Sequence, residues 1–212
     1  GDFYHLFRLG EGRIGVLIGD VSSHGYQAAL IMALTMSAMA IHGQKGDDPA
    51  TTVAALLVTI ADELEETDMF LALFYAVVDP ARGEIRWVNA GQPGAFVMAA
   101  DGTMHRLQAT DPPLGMTSGR PHDAVRPWDG KTDTLVLFTD GVCDARDTMG
   151  RTLGEARVLE VVAARRKDGP DRIVDGVFAL LEGHMGTVAP PDDQALLVLR
   201  TERSPLQPMT SR

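Results

Sequence analysis

The chain has 212 residues and a single cysteine, Cys143. One thiol can build neither an internal disulfide framework nor a cysteine-rich zinc site, and a reducing, cytoplasmic setting fits that usage. No Lys/Arg-rich run is present. With 19 basic against 29 acidic residues the net charge is −10, which argues against nucleic acid as a partner. The longest apolar stretch, "AALIMALTMSAMAI" from Ala28 to Ile41, is 14 residues long. A bilayer span needs roughly 20, so this is a buried core helix, with no membrane span in the sequence given. No signal-peptide pattern opens the chain. Also missing are an EF-hand loop, a G-x-x-x-x-G-K-[ST] phosphate loop and a convincing G-x-S-x-G nucleophile elbow.

What is present is ordinary globular material, 45% apolar and 23% charged, in a chain long enough for a sizeable core. "FYHLFRLGEGRIGVLIGD" predicts two strands around a turn at Gly10-Glu11-Gly12. A helix is expected over about 26–42, capped by Ser22 or Ser23 and ended by Gly43. A loop over 43–49 and a second helix over about 50–66 come next; Val53, Leu56, Leu57, Ile60 and Leu64 recur at three- and four-residue steps. Strands are predicted at 70–79 and at "EIRWVNA", then a hairpin turning at Asp101-Gly102. Pro112-Pro113 opens a loop, "TLVLFTD" is a strand of buried type, helices are expected over 154–166 and 171–182, and 194–200 is a last strand. Helices do not alternate singly with strands, so a doubly wound parallel sheet is disfavoured. The expected class is α+β, an antiparallel β-sandwich flanked by pairs of helices, in one domain over residues 1–200 with a disordered tail at 201–212. The abrupt start at Gly1 reads as a fragment with its lead-in missing.

Acidic residues stand at the edges of these strand-like runs. Asp2 precedes "FYHLF", Asp20 ends "GVLIG", Asp140 ends "LVLFT", and Asp192 and Asp193 precede "QALLVL". Gly1, Gly19 and Gly141 lie alongside and permit close approach. Each aspartate alone reads as a turn residue or a helix cap. Gathered at neighbouring strand ends they would repel by about 4 kcal/mol per pair at ~4 Å and an effective dielectric near 20. Divalent cations relieve that repulsion, and oxygen ligands without a Cys or His cluster select Mg²⁺, Mn²⁺ or Ca²⁺ over Zn²⁺. Two such cations sharing aspartates are a device for hydrolysing phosphate esters.

The ordered motifs "GDFYHLF", "IGDVSSHG", "LFYAVVDPARGEIRWVNAGQP", "PPLGM", "LVLFTDGVCDARD" and "PDDQALLVLR" resemble the metal-dependent serine/threonine phosphatases of type 2C (PPM), in their bacterial SpoIIE/RsbU-like branch. The likeness runs from Gly1 to about Leu199. It implies a helix-flanked β-sandwich with two Mn²⁺ or Mg²⁺ ions at one end. Asp20 would be the ligand shared by both ions, assisted by the carbonyl of Val21, with Asp140 and Asp192 on one ion and Asp2 on the other. Asp20 and Asp140 would carry catalysis, while Asp193, His24, Asn89 and Gly141 would stand behind the ligands or near the substrate. The implied substrate is a phosphoserine or phosphothreonine protein, typically of the anti-anti-sigma (STAS) type. An upstream sensory domain is implied as the controlling partner, and a homodimer is left open.

This sequence departs from that pattern at His5, Ser23, Gln92 and Ala195, where the branch has an acidic residue, glycine, histidine and threonine. No expected ligand is lost, so the departures bear on substrate positioning. They leave open a catalytically weakened binding module and a two-metal phosphoesterase acting on small molecules. His24 is otherwise a helix-start residue, and Asn89 with Gly91 an ordinary strand-end turn. Cys143 has no basic neighbour to activate it. Met32, Met36 and Met39 read as adaptable core. Asp2, one residue from the terminus, is expected to be held less firmly than Asp20 or Asp140.

Overall fold

The computed structural model describes residues 1–23, 25–45 and 48–201. In chain order the elements are β1 (Asp2–Arg8), β2 (Ile14–Val21), α1 (Tyr26–His42), α2 (Pro49–Thr67), β3 (Leu71–Asp79), β4 (Glu84–Ala90), β5 (Gly94–Met98), β6 (Met104–Arg106), β7 (Ala124–Pro127), β8 (Thr134–Phe138), α3 (Asp140–Cys143), α4 (Glu155–Ala164), α5 (Pro170–Met185) and β9 (Leu196–Leu199). One sheet has the order β1-β2-β3-β4-β7 and the other β6-β5-β8-β9; all pairings between these strands are antiparallel. The expected α+β sandwich is what forms.

Strand alternation explains the layering. In β2 and β3, Val16, Ile18, Phe74, Ala76 and Val78 face the second sheet, where Ala95, Val97, Leu135 and Leu137 meet them. Leu17, Leu73 and Tyr75 on the opposite face pack under Ile31 and Met39 of α1 and Val53, Leu56 and Ile60 of α2. The outer face of the second sheet, with Phe96, Val136 and Phe138, is covered by Val158 and Val162 of α4 and Ile173, Val177 and Leu181 of α5. Central strands buried on both faces must be apolar throughout, which is why β2, β3 and β8 read as unbroken apolar runs rather than alternating ones. Each fully buried aliphatic or aromatic side chain stabilises by roughly 1.5–3 kcal/mol, more than an exposed ion pair at ~0–1. The apolar stack therefore sets where the strand ends lie.

Several local expectations change. α1 is capped by Gly25 at φ 92, and neither serine caps it with a side chain. Ser22 instead binds Phe70, accepting its N–H at 2.9 Å on Oγ and donating its own N–H to the Phe70 carbonyl at 3.0 Å. Gly43 is right-handed and leads into a short 3₁₀ turn, Gly43–Lys45. It is small because the Phe7 ring lies 3.3 Å from where a Cβ would sit. Asp48 caps α2 through the Thr51 N–H, 2.9 Å away. The loop expected after Pro113 contains β7, an edge strand whose half-exposed "AVRP" carries no apolar signature. Met39 is fully buried and Met32 and Met36 pack partly against the same core. Residues 202–212, most of the expected tail, lie outside the described residues. Thr201 is anchored, donating to the Gly130 carbonyl at 3.0 Å and accepting from Trp128 Nε1 at 3.3 Å.

Candidate metal centre at the sandwich end

Both sheets send carboxylates to one cavity of about 630 Å³, lined by Asp20, Val21, Asp140, Asp192 and Asp193 together with Ser22, Ser23, Phe70, Gly91, Gln92 and Thr139. Among the described residues no Lys, Arg or His side chain lines it. Asp2 opens β1 directly opposite Asp20 of β2 in the strand register. The sheet of β8 contributes Asp140, and the turn before β9 contributes Asp192 and Asp193. Asp140 is not the last residue of its strand: β8 ends at Phe138 and Asp140 begins α3. Its carboxylate therefore stands at a strand-to-helix turn.

The charges respond to one another. Burial, with Asp20, Asp140 and Asp193 nearby, lifts the Asp2 carboxyl from its usual 3.8 to about 6, against the lowering effect of a hydrogen bond from Thr139. Burial and then Asp20 also raise Asp140, with Asp192 and Asp144 adding to the effect. Among the described residues no three acidic, His or Cys side chains come together closely enough to hold a metal ion; carboxylates of like charge repel one another. Hard oxygen donors converging without a basic side chain fit a divalent oxygen-seeking cation.

Asp2 is better held than its place in the chain predicts. It is paired within β1, and its Oδ2 accepts a 2.6 Å bond from Thr139 Oγ1. Gly141 and Gly19 are small because other backbone passes close to each. A Cβ on Gly141 would overlap the Asp193 carbonyl, and one on Gly19 would lie 2.7 Å from the Ala72 carbonyl oxygen. The close approach is backbone against backbone. Asp192 Oδ1 accepts the Asp193 N–H at 2.8 Å, which shapes the acidic turn.

Asn89 is buried and does not line the cavity. Its Oδ1 accepts the Gln92 N–H at 2.9 Å, and its Nδ2 donates to the carbonyls of Gln92 and Leu107, both at 3.0 Å. It thus builds the turn that presents Gly91 and Gln92 to the cavity. Gln92 Nε2 donates to the Phe138 carbonyl at 3.0 Å, tying that turn to the end of β8. His24 lies outside the described residues. His5 lies tilted against Phe7, with ring centroids 4.5 Å apart, and does not line the cavity. Cys143 is half-buried, and burial, then Glu155, Asp144 and Asp140, push its thiol up to about 12, an unreactive state. The sequence reading missed Thr139. Its only sequence signal was its place between an apolar run and an aspartate.

Comparison with known proteins finds that the family model described as Stage II sporulation protein E (SpoIIE) matches residues 10–202. Phosphoserine phosphatase RsbP of Bacillus subtilis (strain 168) is 34% identical over 150 residues, 68% of this chain and 36% of RsbP. Phosphoserine phosphatase RsbU of the same organism is 28% identical over 204 residues, 94% of this chain and 59% of RsbU. The chain thus spans between about a third and three-fifths of the length of these relatives. Among solved structures, the SiaA-PP2C domain of Pseudomonas aeruginosa superposes with a TM-score of 0.82 at 21% identity, covering 95% of this chain and 80% of that one.

Proposed function

The chain belongs to the SpoIIE family, and from that premise we propose that residues 1–200 form a metal-dependent protein phosphatase hydrolysing phosphoserine or phosphothreonine on a regulatory protein of the STAS type. The observation that carries this reading is the convergence of acidic side chains from both sheets on one cavity with no basic side chain among its described lining. Asp20 would be shared by two Mn²⁺ or Mg²⁺ ions, with the Val21 carbonyl and Asp2 on one and Asp140 and Asp192 on the other. Bound there, the ions supply Lewis acidity to the phosphoryl group and to the attacking water. Asp193 shapes the turn that aims Asp192, and Asn89 and Gln92 hold the opposite wall. Among the described residues the cavity lining offers no cysteine and no histidine or lysine beside its serines. Ser22 already accepts the Phe70 N–H. These features favour direct attack by water over a phosphoenzyme.

Three of the four departures from the family pattern are absorbed by the fold, while Ser23 lines the cavity. Gln92 is bonded to Phe138, the Ala195 N–H to Thr139 Oγ1 at 3.0 Å, and His5 does not line the cavity. That supports an active enzyme over a weakened binding module. Control by an upstream sensory domain, a cytoplasmic setting and a homodimer belong to the same proposal; among the described residues no helix is long and apolar enough to cross a membrane. The test is turnover of a phosphorylated STAS protein with Mn²⁺ and with EDTA. Mn²⁺-dependent release of phosphate is expected. Binding without turnover would establish the module reading, and turnover of p-nitrophenyl phosphate alone would establish the small-molecule one.

A further inference from the structure

Thr139 occupies the N-cap position of α3, yet its side chain makes no cap bond. Threonine at an N-cap ordinarily accepts a backbone N–H of the first turn. Here the hydroxyl is diverted. Its oxygen accepts the Ala195 N–H at 3.0 Å, and its hydrogen goes to Asp2 Oδ2 at 2.6 Å, across 137 positions of sequence. A hydroxyl has one hydrogen to give. Because the Ala195 N–H can only donate, that hydrogen is available to Asp2, whose ionised carboxylate can only accept. The residue is 1% exposed, and its own N–H binds the Ala195 carbonyl at 3.1 Å. The hydroxyl therefore stands on a platform made of β8 and the start of β9, in one sheet, and reaches a carboxylate in the other. A local rule broken at a site, with the group re-used elsewhere, marks a functional constraint.

We infer that Thr139 is a positioning residue that orients the Asp2 carboxylate for cation binding by joining the two sheets at the sandwich end. This rests on the function proposed above. Partners that orient a ligand typically alter metal affinity about 10- to 100-fold when removed. The experiment is Mn²⁺ titration calorimetry on the purified chain with Thr139→Val, Thr139→Ser, Asp2→Ala and the double variant Asp2→Ala/Thr139→Val, with melting temperatures measured alongside. Thr139→Val should weaken the Mn²⁺ step that depends on Asp2 by about 10-fold or more. Thr139→Ser, which keeps the hydroxyl, should restore it, and adding Thr139→Val to Asp2→Ala should change nothing further. Should the valine variant not fold, Thr139→Ala takes its place with the same reading. Wild-type affinity in Thr139→Val, failure of serine to rescue, or full additivity in the double variant would each overturn the inference. Wild-type protein that binds no Mn²⁺ at all would overturn the proposed function itself.

Discussion

Gly141→Ala should abolish activity through a single methyl group. The added Cβ would lie 3.0 Å from the carbonyl carbon of Asp193 and 3.5 Å from that of Asp192, and would overlap the Asp193 carbonyl oxygen. Non-bonded carbons settle about 3.5–4.0 Å apart, so the acidic turn must retreat by at least roughly 0.5–1 Å. What blocks the methyl is backbone, which cannot swing aside as a side-chain tip would. Metal-ligand distances tolerate only about ±0.2 Å, so Asp192 and Asp193 would leave their working positions. Overpacking of this kind costs about 1–3 kcal/mol; at roughly 2–4 °C per kcal/mol for a chain of this size, the melting temperature should fall by about 2–12 °C. Gly183→Ala is the matched control. It adds the same methyl to α5, where a Cβ meets nothing within 4 Å, and replacing helical glycine with alanine gains up to ~1 kcal/mol. The assay is Mn²⁺-dependent phosphate release beside calorimetric melting. Near wild-type turnover in Gly141→Ala would refute the argument that contact between Gly141 and the acidic turn sets the site.

The charges carry two further expected outcomes. Asp140→Asn should eliminate turnover while leaving melting in EDTA unchanged or raised, because it removes a carboxylate that burial and Asp20 already disfavour as an anion; a fall of several degrees would make Asp140 structural. In metal-free protein the folded state holds Asp2 up at about 6, above the usual 3.8, so folding favours its protonated form. That contribution is complete below about pH 3.8 and is lost as pH rises through about 6. The melting temperature of the wild type minus that of Asp2→Asn in EDTA should therefore fall across this window, and a flat difference would contradict it.

The layers of this fold were legible because they depend on periodicity. The three- and four-step apolar positions of α2 and the unbroken runs of β2, β3 and β8 can satisfy burial in few ways, and the observed helix-sheet-sheet-helix stack is the one that buries both faces of each central strand. Edge strand β7 was not legible, since a half-exposed strand of four residues has no face to declare. Cap chemistry misled at Ser22, whose hydroxyl serves Phe70 across 48 positions of sequence.

The sequence by itself determined the carriers of the chemistry: acidic residues placed next to apolar runs, without basic or thiol competitors, and ordered motifs that name the family. A buried strand has to end somewhere, and an aspartate next to that end in sequence lands at a sheet end wherever the fold is built. Tertiary structure alone decided which ends meet. The opposition of Asp2 and Asp20 is a matter of strand register. The packing of Gly141 on Asp193 and the bond from Thr139 to Asp2 depend on how one sheet lies over the other. Those contacts span up to 137 positions of sequence, and a hydroxyl between a strand and an aspartate looks the same locally whether it caps a helix or orients a carboxylate. Only the neighbour brought to it by packing tells the two apart.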